Sequence, residues 1–386
     1  MPASLVGCRW ATIVGCLICG SIIPDAHAQL IPVPERRDHV VDLTRQILYA
    51  TTNAGRVERF DLTSLTSLSA WEIGGDLGGI DLTPDGSILL IADNTIDANA
   101  ENGRIHRIDS MTGDATTLEF ELDPNQQPLF GERGSWDVVA MSNGQAFFST
   151  DLLGSASTFL REWDLLSNQV SVRPLPPSMS GNTRVGERTW LFRDANYTTM
   201  FGLESGSTAG RIFNYDAATD TFAHRENMVS VSHDDGYGGI ARNSDLFAAE
   251  LDTSFVRVFA ADLATQITTL ASIDGGFAFD ANEDLFYGID AQTDVVRVFE
   301  TTTWQEIRTI IPGFDFQPTH RFDGGIISLD SDNQVLYVSV DGGIAAVSIV
   351  PEPSSIFLLM VTGAFAANRK LYSPCAGITR LKQRRK

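Results

Sequence analysis

Ile80-Asp81-Leu82-Thr83-Pro84-Asp85-Gly86-Ser87-Ile88-Leu89-Leu90-Ile91-Ala92-Asp93 is the stretch that decides the fold. Two apolar runs flank Thr-Pro-Asp-Gly. Proline presets the first turn angle, aspartate bonds its own turn, and glycine accepts a left-handed backbone. This is a β-hairpin. The same plan, a polar turn and then a short apolar strand, appears as Thr44-Arg45-Gln46 before Ile47-Leu48-Tyr49 and as Ser142-Asn143-Gly144 before Ala146-Phe147-Phe148. It returns as Asp194-Ala195-Asn196 before Thr198-Thr199-Met200 and as Arg242-Asn243-Ser244 before Leu246-Phe247-Ala248. The last copies are Ala281-Asn282-Glu283 before Leu285-Phe286-Tyr287, and Asp332-Asn333-Gln334 before Val335-Leu336-Tyr337. Equivalent positions are Tyr49, Leu90, Phe148, Met200, Ala248, Tyr287 and Tyr337, a repeat of about 48 residues.

A second strand-like unit follows each copy: Val57-Glu58-Arg59-Phe60, Ile105-His106-Arg107-Ile108, Leu160-Arg161-Glu162-Trp163, Ile212-Phe213-Asn214-Tyr215, Val256-Arg257-Val258-Phe259 and Val296-Arg297-Val298-Phe299. Five are followed by an acid (Asp61, Asp109, Asp164, Asp216, Glu300), and Ile344-Ala345-Ala346-Val347 is a weaker seventh. No segment from 29 to 350 sustains a 3.6-residue period. A lone four-stranded sheet leaves both faces wet, whereas packing against neighbours around a ring buries them. The expectation is all-β, a seven-bladed β-propeller over residues 29–350. The last unit stops after three strands, so Leu30-Ile31-Pro32-Val33 is expected to supply its outer strand and close the ring.

Composition agrees. In 386 residues, 43% are hydrophobic and 20% charged, a globular balance. The 4 cysteines (Cys8, Cys16, Cys19, Cys375) all lie outside residues 29–353, which excludes a disulfide scaffold or thiolate metal sites for the body. All lysines are in the tail, and residues 29–353 hold 20 arginines against 48 acids. So acidic a body repels phosphate backbones and attracts cations, so nucleic acid is not expected as a partner.

The two ends read as address labels. Residues 1–28 carry Arg9, an apolar run over 10–23, and Ala26-His27-Ala28, the three parts of a secretory signal peptide, with cleavage expected between Ala28 and Gln29. Ile13-Val14-Gly15-Cys16 fits a lipobox in pattern, but the apolar stretch before it is short. At the other end, Val350-Pro351-Glu352-Pro353-Ser354-Ser355 precedes an apolar segment, 356–367, and then Asn368-Arg369-Lys370. As a helix the segment spans about 18 Å against a hydrocarbon core of roughly 30 Å, enough for a transient membrane tether and too little for a permanent anchor.

This C-terminal pattern resembles the PEP-CTERM sorting signal of exported bacterial proteins. The resemblance implies an exosortase as transient partner, removal of residues 351–386, and delivery to the cell surface, outer envelope or extracellular polysaccharide matrix. The sixteen residues after Lys370 extend beyond the usual end of that pattern. The core resembles YVTN and WD-repeat-like propellers, most clearly at Ile80-Asp81-Leu82-Thr83-Pro84-Asp85-Gly86. Such propellers include enzymes, binding platforms and inert scaffolds, so the fold assigns no activity.

A ligand site is expected where loops enter each innermost strand and leave the second strand. Glycine pairs (Gly78-Gly79, Gly238-Gly239, Gly275-Gly276, Gly324-Gly325) suit crowding near the axis. The entering loops bring Asp76, Glu132, Glu187, Asp235, Asp274 and Asp323; the leaving loops bring Asp93, Asp151, Glu204, Glu250, Asp290 and Asp341. Together they are expected to form an acidic funnel, whose oxygens suit Ca²⁺ or Mg²⁺. His39, His233 and His320 are placed on the same face, as a general-base or metal set or as separate surface residues. Trp136 and Trp190 read as packing residues or as a sugar platform. Asp280-Ala281-Asn282-Glu283-Asp284 and Asp330-Ser331-Asp332-Asn333 read as hairpin turns rather than metal loops.

Three readings follow: an exported binding or scaffold module for a polysaccharide, a surface protein or a cation; a divalent-cation-dependent hydrolase, lactonase or lyase; and an inert matrix component. The first is preferred, as a monomer without catalysis, because no catalytic motif is complete.

Overall fold

Hydrogen bonding divides the strands into seven antiparallel blades of four or five strands each, plus a two-stranded ribbon, Ser157–Thr158 with Val185–Gly186. This is a computed structural model, and it describes residues 28–95, 101–123, 131–152, 157–177, 183–186, 188–204, 211–227, 237–252, 255–316 and 327–349. All of them belong to the compact unit Ala26–Val350. The N-terminal signal before Ala28, the Pro351-Glu352-Pro353 motif and segment 356–367 lie outside the described residues. Among the described residues there is no helix, and so none long and apolar enough to cross a membrane.

The innermost strands of blades 1 to 7 are Arg36–Asp42, Leu77–Leu82, Glu132–Ala140, Trp190–Arg193, Tyr237–Ile240, Phe277–Phe279 and Ile327–Asp330. Each touches the next around the axis, and the seventh touches the first. The seven equivalent sequence positions all fall on second strands, opposite Val40, Asp81, Val138, Arg193, Gly239, Ala278 and Ser328. Ala28–Pro32 pairs antiparallel with Gly343–Ser348 and supplies the outer strand of blade 7. The ring is therefore closed by hydrogen bonds between the two ends of the folded body.

Burial lies between blades. Ile31 and Val33 of the closing strand pack with Leu48, Phe60, Tyr337 and Ile344 across the seam of blades 7 and 1. Blades 3 and 4 meet at Phe147, Leu160, Phe213 and Tyr215, and blades 4 to 7 share a continuous aromatic core that includes Phe201, Phe247 and Phe286. A fully buried side chain of this kind contributes roughly 2–3 kcal/mol relative to exposure, so single sheets gain their stability only by stacking.

The acid after each third strand has a local cause. Asp61 Oδ1 accepts the backbone N–H groups of Thr63 and Ser64, Asp109 Oδ1 those of Met111 and Thr112, and Asp164 Oδ1 those of Leu166 and Ser167. These turns then need one left-handed residue: Leu65, Gly113, Asn168, Asp220, Leu263 and Trp304 all have φ between 51° and 78°. In blades 1 to 4 an Asx-capped turn that ends in a left-handed residue repeats the same hairpin chemistry; blade 5 caps with Asp262 beside its left-handed Leu263, and blade 6 starts from Glu300.

Inner strands of blades 1 to 3 bulge, and the bulge is used as a stitch. Asp38 offers one oxygen to its neighbour His39 N–H and the other to Ile80 N–H of blade 2. Asp137 does the same with Val138 N–H and Leu191 N–H of blade 4. At the corresponding bulge of blade 2 stands Gly79, where a Cβ would come within 2.1 Å of the Asp137 carboxylate. Here glycine is required by close approach rather than by φ.

Candidate functional site

The inner strands begin, and the second strands end, at one rim of the channel: Leu77 pairs with Asp93, Glu132 with Leu152 and Tyr237 with Glu250. Asp93 accepts from Thr95 N–H, from Arg104 Nε at 3.2 Å and lies 3.3 Å from His106 Nε2. Burial works against its charge, yet the bonds from His106 and Thr95 and the charge of Arg104 outweigh burial and hold its pKa below the usual carboxylate value. Asp151 accepts Arg188 Nε at 2.8 Å, and Glu204 accepts Arg211 at 2.8 Å together with Gly186 N–H. Asp290 Oδ1 accepts Gln292 N–H and Thr293 N–H, while Asp274 accepts Ala291 N–H and the Gln292 amide. Glu250 is buried and Asp341 is exposed. Asp76 has a raised pKa, first from burial and then from Asp93 and Asp151, against the pull of Arg37 at 3.3 Å.

Glu132 is the most enclosed of these acids. It accepts Arg161 Nη2 at 2.7 Å, the hydroxyls of Thr150 and Thr158 at 2.7 Å, and Asp123 N–H at 2.6 Å. A hard cation needs six or more oxygens turned toward one point. Here arginine and backbone N–H groups hold Asp93, Asp151, Glu204 and Glu132. These residues do not fit a shared Ca²⁺ or Mg²⁺, and among the described residues no three His, Cys, Asp or Glu side chains group as a metal site. Glu187, Asp235, Asp323, His233 and His320 lie outside the described residues. His39 is inside the first inner strand and 4% exposed. Trp136 and Trp190 are buried with ring centroids 5.1 Å apart, as packing partners. Asp280 and Asp330 each accept two N–H groups of their own turns, from Asn282 and Glu283 and from Asp332 and Asn333.

A cavity opens at the opposite mouth, where inner strands turn back into second strands. Its volume is about 490 Å³, and it is lined by the later halves of the inner strands and the hairpins that follow. Seven residues occupy the axial register, and five of them are small or apolar. The other two, Asp81 and Arg193, join across the channel: Arg193 Nε and Nη2 donate to the two Asp81 oxygens at 2.7 Å each. This fork links blade 2 to blade 4 past blade 3. Asp81 also accepts Ala140 N–H of blade 3, so one carboxylate ties three blades. Burial opposes the Arg193 charge, but Asp81 more than offsets it and the guanidinium pKa is raised. The guanidinium lies 3.6 Å from the centre of the Tyr197 ring and donates to its hydroxyl at 2.9 Å. Burial pushes the Tyr197 hydroxyl up to about 12. Arg45 fastens the lip by bonding Asp42 and the Gly86 carbonyl at 2.7 Å each.

A second hollow of about 310 Å³ runs outward from this mouth between blades 5 and 6. It shares Arg242, Phe279 and Asp280 with the axial cavity. Arg242 spans the two hairpins, bonding Asp284 Oδ1 at 2.7 Å and the Asn282 carbonyl at 2.6 Å. Asp81, Arg193, Tyr197, Arg242 and Trp304 were not among the sequence-expected site residues. For Asp81 and Arg193 the signal was present: aligning inner strands rather than second strands puts two opposite charges in an otherwise small or apolar register.

Neither the protein-family models nor the curated proteins match this sequence. Solved structures do match the fold. The β-propeller domain of Myceliophteria thermophila Cps50 (Swd1) superposes with a TM-score of 0.60 at 12% identity, covering 84% of this chain and 100% of that one. Kuenenia stuttgartiensis hydrazine synthase gives 0.61 at 11% identity, covering 83% and 97%. At these identities the likeness shows the fold, and the fold is a seven-bladed β-propeller.

Proposed function

We propose that this chain is an exported, non-catalytic binding or scaffold module of the cell surface or extracellular matrix. Residues 1–28 direct export, and an exosortase recognises Pro351-Glu352-Pro353 and releases residues 29–350 from a transient tether through 356–367. The observation that carries the non-catalytic part is the use made of the carboxylates. Asp93, Asp151, Glu204, Glu132 and Asp81 are held by arginine at 2.7–3.2 Å, which suits a rigid platform rather than a proton-transfer site. The cavity at the hairpin mouth, in the size range of ligand pockets, is the binding surface of that platform.

Two measurements test this. Mass spectrometry of the protein from its own cells is expected to find Gln29 as first residue and no sequence beyond the Pro351 region; an intact tail on surface-located protein overturns the sorting reading. Purified residues 29–350, incubated with the cells' own exopolysaccharide and surface fraction, are expected to co-sediment with it. Full recovery in the supernatant overturns the binding reading.

A further inference from the structure

Resting on that reading, we propose that the hairpin mouth and the groove between blades 5 and 6 together bind an extended, uncharged polysaccharide segment. The axial cavity and the groove share Arg242, Phe279 and Asp280, and the groove's lining continues outward to Ile267 and to Thr301, Thr302 and Trp304, so the two hollows adjoin as one trough. Two hollows lying side by side along one line of residues suit successive units of a polymer.

Backbone strain marks both parts of it. The first hairpin has a left-handed position in six of the seven blades, held by Gln46, Gly86, Gly144, Ser244 and Gln334, and in blade 4 by Tyr197 at φ 61°. The left-handed position of the second hairpin type holds Leu65, Gly113, Asn168 and Asp220 in blades 1 to 4 and Trp304, at φ 56°, in blade 6, while in blade 5 the left-handed residue, Leu263, stands one position earlier. Bulky residues are rare in this region, and strained residues gather at ligand-binding sites. Tyr197 lines the axial cavity and Trp304 lines the groove. Both ring-bearing exceptions of the repeat thus face the same trough.

The chemistry points to sugar. The Trp304 ring, half-buried and edge-on to Phe286 at 5.9 Å, offers apolar surface for the C–H face of a pyranose. Around it stand Asn243, Asp245, Thr301 and Thr302, acceptors and donors suited to hydroxyl groups. Charge narrows the class: Asp245, Asp280, Glu283 and Asp284 line the groove with a single arginine, already bonded to Asp284. That field repels uronates and sulfated sugars.

The test is an array of neutral oligosaccharides four to eight units long (glucans, mannans, galactans and N-acetylglucosamine oligomers) beside polygalacturonate, probed with residues 29–350. Binding is expected on at least one neutral series and not on polygalacturonate. Trp304→Ala is expected to weaken that binding about 30-fold, as for a central aromatic anchor. Trp304→Phe is expected to restore most of it. Because Trp304 also packs on Phe286, Asp245→Ala, at an exposed turn, is the second variant and is expected to weaken binding about fivefold, as loss of one hydrogen bond would. No neutral ligand, preference for the uronate, or indifference to both variants overturns the proposal. Co-sedimentation with the cells' own surface fraction alongside an empty array leaves the binding module standing and removes only the sugar assignment.

Discussion

At the rim where inner strands begin, one arginine–carboxylate contact is fully closed: Glu132 and Arg161 side chains are 0% and 5% exposed, and hydroxyls fill the remaining acceptor sites. At the hairpin mouth the Asp81–Arg193 fork has equally short bonds, but its side chains are 6% and 17% exposed, and a cavity opens beside it. Both ends come from one repeat and use one kind of ion pair. What differs between these two pairs is access to water. A fully enclosed pair is a structural bond, whereas a pair beside an open cavity can shape a surface that a ligand meets.

The largest effect should come from removing what both ends share. Deleting residues 29–35 strips Ile31 and Val33 from the seam and leaves blade 7 without its outer strand. Losing two buried aliphatic side chains with their strand pairing is expected to destabilise by on the order of 5 kcal/mol or more. Urea unfolding followed by tryptophan fluorescence should show an early or split transition; an unchanged midpoint would mean that the ring does not depend on its closing strand.

Next in size is the closed Glu132–Arg161 pair of the rim. Glu132→Gln keeps the volume but leaves the buried Arg161 guanidinium without a counter-charge, which is expected to lower stability by about 3–5 kcal/mol. At the mouth, Arg193→Met leaves Asp81 beside a cavity that admits water, and about 2 kcal/mol is expected after allowing for that solvation. The double variant Asp81→Asn/Arg193→Met should recover part of the loss, since neither charge is then stranded. A mouth variant as damaging as the rim variant would erase the distinction between the two pairs.

Much of this was legible in the sequence, and for a physical reason. Hairpin turns and apolar strands are local, so the repeat at Tyr49, Leu90, Phe148 and their equivalents located all seven second strands, and Leu30 to Val33 announced the closing strand. Which acids meet arginine was not legible. Arg193 and Asp81 are 112 residues apart, and Arg161 and Glu132 are brought together only by blade geometry. The acids after the third strands were visible as a pattern, but their role as caps of backbone N–H groups emerges only with the turn. Inner strands were the least legible part, because bulges at Asp38 and Asp137 shift the alternation on which strand reading depends.

The smallest effect is a titration that separates rim carboxylates by sign. Asp93 has a folded pKa below its unfolded value of about 3.9, despite a burial that opposes it, because His106, Thr95 and Arg104 favour the charged form. The turn acids Asp61, Asp109 and Asp164 are lowered too, by their N–H and hydroxyl donors. For each, the unfolded chain takes up a proton first as pH falls. The stabilisation is therefore fully present above about pH 4 and is lost as pH drops through the lowered folded values. Asp76 runs the other way: raised by burial and by its acidic neighbours, it disfavours the folded state at neutral pH and is relieved on acidification. Melting temperature should thus hold steady from pH 7 to about 5 and fall below about 4. Asp93→Asn should flatten the acid limb, and Asp76→Asn should raise the neutral plateau slightly while leaving that limb in place. If Asp93→Asn melted in parallel with the parent at every pH, the bonds of Asp93 would be incidental, and the rim would owe its rigidity to packing alone.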